Sequence, residues 1–137
     1  MTRHFPRIFE QDEGNKIFNS INASEIRDVL EHFKKHKSPG PDGWTVEFIL
    51  CFFDLFEADL VALVEEIRVL GQVPGSLNAT FIALIPKTDK RLNFDNYRPI
   101  SLCNLVYKII TKIISNRLKP ILSQRLTKEQ FGFLHGR

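Results

Sequence analysis

The chain has 137 residues, about one domain's worth. Apolar residues make up 43%, too many for a disordered chain, and no apolar run reaches the ~20 residues of a membrane-spanning helix. The net charge of +3 is unevenly spread: residues 1–85 hold 8 Lys+Arg against 13 Asp+Glu (−5), and residues 86–137 hold 11 against 3 (+8).

Residues 1–13 mix Arg3, His4, Arg7, Glu10, Asp12 and Glu13, so no apolar signal segment is expected. With two cysteines 52 positions apart and no CxxC, the reading is an intracellular protein of nucleus or cytoplasm, without a zinc site. Residues 1–21 lack clear periodicity and read as an N-terminal extension or irregular lead-in. Asn22 with Glu25 has capping-box spacing. Ile26, Val29, Leu30 and Phe33 then follow at i, i+3, i+4, i+7 as one apolar stripe. Lys34, Lys35, His36 and Lys37 are expected at that helix's C-terminal end, where cations suit the dipole. Ser38-Pro39-Gly40-Pro41-Asp42-Gly43 fits neither helix nor strand interior.

Residues 44–70 read as one or two helices, with Ile49, Phe52, Phe53 and Phe56 on one face. Leu60, Leu63, Val64 and Ile67 form another, opposite Glu65, Glu66 and Arg68. Gly71, Pro74 and Gly75 close the block. Thr80-Phe81-Ile82-Ala83-Leu84-Ile85 is a strand stopped by Pro86. Residues 87–96 are turn-like, and Tyr97-Arg98-Pro99-Ile100-Ser101-Leu102 is a second strand, so the pair forms a long-looped hairpin. Asn104 caps a long helix through Leu118, which Pro120 ends or kinks. The pattern predicts an α+β chain, mostly helical with one short antiparallel β-hairpin.

Catalytic signatures are few. There is no Asp-Asp pair, no glycine-rich loop after a strand and no readable Ser-His-Asp set. His32 and His36 lie at i, i+4 but read as a solvated basic helix end. Asp54, among phenylalanines, reads as an exposed helix-face residue. The basic C-terminal third suits either a polyanionic partner or a solvated helical face. Lys87 and Arg98 flank the hairpin, where strand ends can bring two cations to one phosphate group. Lys90 and Arg91 add to that field. The alternative is that all four are solvated loop charges.

Five blocks carry a family resemblance: Lys37-Ser38-Pro39-Gly40-Pro41-Asp42-Gly43; Leu84-Ile85-Pro86-Lys87; Asn96-Tyr97-Arg98-Pro99-Ile100-Ser101-Leu102-Cys103-Asn104; Tyr107-Lys108-Ile109 with Asn116-Arg117-Leu118; and Gln130-x-Gly132-Phe133-x-x-Gly136-Arg137. In this order and spacing the chain resembles the N-terminal part of a reverse transcriptase from a non-long-terminal-repeat retrotransposon, of the type abundant in plant genomes. The resemblance spans roughly residues 20–137. It implies the fingers and start of the palm of a right-hand polymerase, with residues 1–21 as an extension and 22–137 as a partial reverse transcriptase domain.

It also implies site roles. Lys87 and Arg98 would contact the incoming nucleotide's triphosphate. Ile100 and Ser101 would lie near the templating base. Gln130 and Arg137 would lie near the template–primer, with Lys90 and Arg91 as further nucleic-acid contacts. Partners would be an RNA template, a DNA primer and deoxynucleoside triphosphates, with self-association through uncovered apolar faces. Family members hold two magnesium ions on aspartates of later palm motifs, which activate the primer hydroxyl and stabilise leaving pyrophosphate. Residues 1–137 stop before those motifs, so Mg2+ is expected for the full-length enzyme, and this chain alone is expected to bind none and to be inactive. Two other readings use the same residues: a non-enzymatic basic nucleic-acid-binding module, and a helical protein-interaction domain built on Phe52, Phe53 and Phe56.

Overall fold

Asn22 adopts extended backbone, and its Oδ1 accepts the Glu25 N–H at 2.9 Å, which opens a helix as the capping pattern predicts. The computed structural model describes residues 11–89 and 93–125. Their elements in order are helices α1 (Gln11–Ile17), α2 (Ala23–Glu31), α3 (Val46–Cys51) and α4 (Phe53–Leu70), strand β1 (Thr80–Pro86), a 3-10 turn (Phe94–Asn96), strand β2 (Tyr97–Cys103) and helix α5 (Leu105–Arg125). The chain is α+β, mostly helical with one two-stranded antiparallel sheet, as expected.

The core lies where three apolar stripes meet. Ile26, Val29 and Leu30 from α2, Phe53, Val64 and Ile67 from α4, and Ile109 and Ile113 from α5 are all buried. Each such side chain contributes about 1.5–3 kcal/mol by leaving water. Residues 44–70 form two helices because the chain breaks at Phe52, whose backbone leaves helical geometry. Gly71 ends α4 in the left-handed region at φ 65°, where a Cβ is disfavoured.

Three local expectations are corrected. First, the segment before Asn22 is not irregular throughout: α1 forms there and Ile21 is buried. The cause is tertiary, because α1 packs against α5 and nothing in its own periodicity demands a helix. Second, α2 stops at Glu31, short of its four cationic followers. His32 Nδ1 bonds the Asp28 carbonyl oxygen at 2.6 Å, and His36 turns left-handed at φ 57°. Third, of the two outcomes expected at Pro120 the end of the helix does not occur: Pro120 lies inside α5. Ile121 is buried and anchors the turn that follows, and Ser123 Oγ donates to the Pro120 carbonyl. Glu65 and Arg68, opposite the apolar face, pair at 2.7 Å, and Glu65 accepts the Ile21 N–H.

Candidate nucleotide and nucleic-acid interface

β1 and β2 pair in a register that sets Ile85 opposite Arg98, Ala83 opposite Ile100 and Ile82 opposite Ser101. One further bond, from the Lys87 N–H to the Asn96 carbonyl at 2.7 Å, extends the ladder past Pro86. Side chains alternate faces along a strand, and directly opposed residues share a face. Lys87, two positions beyond Ile85, therefore lies on the face of Arg98, as its diagonal neighbour. Ile100 shares that face, and Ser101 lies on the other. The register thus groups Lys87, Arg98 and Ile100 and separates Ser101 from them.

Both cations are exposed. Lys87 Nζ donates to the Asp95 carbonyl at 2.8 Å, so its ammonium group rests on the 3-10 turn. Arg98 makes no ion pair with any described residue. Its planar fork suits a bidentate anion, and the register sets the compact charge of Lys87 at the diagonal position. Lys90, Arg91, Gln130 and Arg137 lie outside the described residues.

The residues 38–43 loop does structural work that the sequence did not disclose. Gly40 packs on the chain where β2 passes into α5: a Cβ there would stand 2.4 Å from the Cys103 carbonyl oxygen. Asn104 is buried just before the first residue of α5, but its side chain does not cap the helix. Its Oδ1 accepts the Asp42 N–H at 3.0 Å, and its Nδ2 donates to the Ser76 carbonyl at 2.9 Å. The capping role passes to Asp42, whose Oδ2 accepts the Leu105 N–H at 2.8 Å and whose Oδ1 accepts the Trp44 N–H at 3.2 Å. An aspartate 63 positions from the N–H it caps leaves no local signal. This reciprocal bonding ties the base of the hairpin to the helical body.

Arg117, in the basic stretch of α5, is consumed by the fold. It pairs with Glu25 at 2.6 Å and donates to the carbonyls of Ile17, Asn19 and Ser20. Glu25 therefore turns to Arg117 and does not complete a capping box with Asn22. The Arg68 guanidinium, bonded to Glu65, holds the Glu65 carboxyl below the usual glutamate range and is itself raised by it. The His36 N–H on Glu47 likewise draws the Glu47 carboxyl down. Asp54 is exposed, as expected, and pairs with Arg27 at 2.7 Å, while the Arg27 guanidinium lies 4.2 Å from the centre of the Phe53 ring.

Comparison with known proteins bears on the same residues. The reverse transcriptase (RNA-dependent DNA polymerase) family matches residues 85–137, which begin at the Arg98-facing end of β1. The chain is 34% identical over 130 residues to a Transposon TX1 uncharacterized 149 kDa protein of Xenopus laevis, covering 95% of this chain and 10% of that protein. It is 28% identical over 116 residues to an RNA-directed DNA polymerase from mobile element jockey of Drosophila funebris, covering 82% and 13%. It is 24% identical over 120 residues to a retrovirus-related Pol polyprotein from type-1 retrotransposable element R1 of Bradysia coprophila, covering 85% and 12%. The chain spans about a tenth of the length of these relatives. By these sequence matches, residues 85–137 carry reverse transcriptase domain sequence, and most of the chain is similar to proteins of non-long-terminal-repeat retrotransposon type.

Proposed function

We propose that the chain forms fingers of an RNA-directed DNA polymerase, gripping the incoming nucleotide's triphosphate with Lys87 and Arg98. The observation that carries this reading is the placement of two exposed cations as diagonal neighbours on one face of the ribbon. A triphosphate arriving there meets the Arg98 fork directly. Lys87 swings from the Asp95 carbonyl to the phosphate, trading a neutral acceptor for a charged one. Ile100, on the same face, lies beside the nucleotide base, and Ser101 serves the template from the other face. Lys90, Arg91, Gln130 and Arg137 extend the contacts to template and primer. The plant affinity rests on the motif blocks, since the relatives named above come from Xenopus and insects.

Among the described residues no three His, Cys, Asp or Glu side chains gather as metal ligands. The chain's own contribution is to bind and orient. In the full polymerase, residues beyond these would supply the chemistry.

A basic nucleic-acid-binding module is the second reading, favoured by the +8 charge of residues 86–137. Its helical part is weakened because Arg117 serves the fold. Triphosphate binding to the Lys87→Ala and Arg98→Ala variants separates the two. On the fingers reading each variant lowers deoxynucleoside triphosphate affinity about tenfold or more, the scale of a charge-assisted hydrogen bond, and leaves oligonucleotide binding nearly unchanged. A loss confined to RNA affinity, in proportion to charge, sinks the nucleotide reading. Primer extension by the chain alone is expected to yield no product, and magnesium-dependent synthesis would overturn that.

A further inference from the structure

Thr80-Phe81-Ile82-Ala83-Leu84-Ile85 carries no charge and is apolar at odd and even positions alike. That is the pattern of a strand covered on both faces inside a sheet. The structure gives β1 one neighbour, β2, and buries none of its residues. Among the described residues its second edge has no partner strand.

The ladder tells which groups point to that edge. The Lys87 N–H bonds the Asn96 carbonyl, so Lys87 and Asn96 form a hydrogen-bonded pair. In an antiparallel ladder such pairs recur at every second residue. Ile85 with Arg98, Ala83 with Ile100 and Phe81 with Leu102 therefore direct their N–H and C=O groups at each other. Thr80, Ile82 and Leu84 turn theirs away from β2, and no described residue bonds to these groups. Pro99, opposite Leu84, belongs to the outward set of β2. Its missing N–H costs the ladder nothing there, which is why a proline is accommodated inside the strand. The two edges thus differ. The β2 edge is interrupted at Pro99, and the β1 edge presents an unbroken row of N–H and C=O groups as far as Pro86.

That row is self-complementary. Laid antiparallel on another copy, with Ile82 facing its own counterpart across a two-fold axis, Thr80 faces the second copy's Leu84 and every outward group of the row finds a partner. Side chains match as well. Ile82 packs β-branched against β-branched, and Phe81 lies across from the second copy's Ala83, large against small. Lys87 sits five residues from the axis, so the two copies' Lys87 residues stand about 34 Å apart, at ~3.4 Å per residue, beyond the ~10 Å screening length at 0.1 M salt. A parallel arrangement would set them side by side. The uncharged row offers nothing for a charged partner strand to read.

We infer that the outer edge of β1 is a pairing site for a second copy of this chain, joined antiparallel about Ile82 into a sheet ordered β2-β1-β1-β2. The interrupted β2 edges face outward and stop the sheet at four strands. The site uses neither Lys87 nor Arg98, so it stands or falls apart from the triphosphate reading.

One edge-to-edge contact is small, so the dimer is expected to be weak and to appear as a concentration-dependent rise in sedimenting mass. Ile82→Pro removes an outward N–H and no ladder bond to β2. It is expected to weaken dimerisation roughly tenfold or more, the scale of the hydrogen bonds lost. Ser101→Pro makes the same change on the β2 edge and is expected to leave dimerisation unchanged, as are Lys87→Ala and Arg98→Ala. A second readout needs no proline. The two Ile82 Cα atoms would stand ~5.5 Å apart, and the two Ser101 positions three strand spacings apart, ~14 Å. A short bis-maleimide is therefore expected to join Ile82→Cys chains well above the level of the parent with its Cys51 and Cys103, and to leave Ser101→Cys at that level. If Ile82→Pro loses the parental circular dichroism, the two cysteine variants decide. A monomer at every concentration, parental association in Ile82→Pro, equal losses in Ile82→Pro and Ser101→Pro, or equal cross-linking through the two introduced cysteines would each overturn the inference.

Discussion

Gly40 and Asp42 show how single positions carry a long-range contact. Gly40 has room for no side chain against the Cys103 backbone, and Asp42 supplies acceptors to two N–H groups at the entries to α3 and α5. Gly40→Ala is expected to lower the unfolding free energy by about 1–3 kcal/mol, as forced overpacking does. Asp42→Ala is expected to cost about 1–2 kcal/mol through the lost caps. Both appear as lower urea midpoints with little change in slope. Gly14 is the control. It lies inside α1 with nothing within 4 Å of a built Cβ, so Gly14→Ala is expected to add about 0.5–1 kcal/mol. A Gly40→Ala variant as stable as the parent would mean that the loop does not dock on the β2–α5 junction.

Two arginine–glutamate pairs join α1 and the residues after it to the bundle. Arg117 with Glu25 and Arg68 with Glu65 direct their spare donors to the carbonyls of Ile17, Phe18, Asn19 and Ser20, and Glu65 receives the Ile21 N–H. These backbone groups are thereby tied down next to an apolar cavity lined by Ile17, Val64, Ile67 and Ile113. The arrangement predicts an acid response of known sign. The Glu65 carboxyl titrates lower in the fold than in the open chain, chiefly because Arg68 donates to it. As pH falls from the ordinary glutamate range, the unfolded chain takes the proton first. The stabilisation is complete above that range and is lost as pH drops through the folded value. Urea unfolding from neutral pH downward should show this loss, and Glu65→Gln should remove part of the slope. An unchanged slope in that variant would contradict the pairing.

The molecule keeps its core in the helices and sends the ribbon outward. Phe81, Ile82, Leu84, Ile85 and Ile100 are all exposed on it, with Ile82 at 68%. Together with the Trp44, Phe48 and Phe52 row, that is more uncovered apolar surface than a small monomer ordinarily carries. A two-stranded ribbon with open edges also invites strand pairing. Sedimentation of the chain alone is expected to show concentration-dependent association and binding of a hydrophobic dye. Ile82→Lys, placed on the ribbon away from Lys87 and Arg98 by the register, should reduce both without lowering triphosphate affinity. A sharp monomer boundary with no dye binding would count against the uncovered ribbon.

Much of the architecture could be read from local pattern. The apolar stripe of α2, its Asn22 cap, the Gly71 stop and the two β-rich runs each follow from propensity and period, which act over a few residues. The spacing of Lys87 and Arg98 about the two runs likewise sets both cations at one end of a hairpin. What lay out of reach was every feature made by residues distant in the chain. The sequence could not show that Asp42 caps α5 in place of Asn104, that Arg117 belongs to the fold, or that α1 forms at all. Each of these depends on contacts between segments far apart in the chain. Periodicity tells which face of an element is apolar. Only packing decides which charges that face brings together, because side-chain hydrogen bonds and ion pairs depend on distances of a few ångströms between segments separated by dozens of residues.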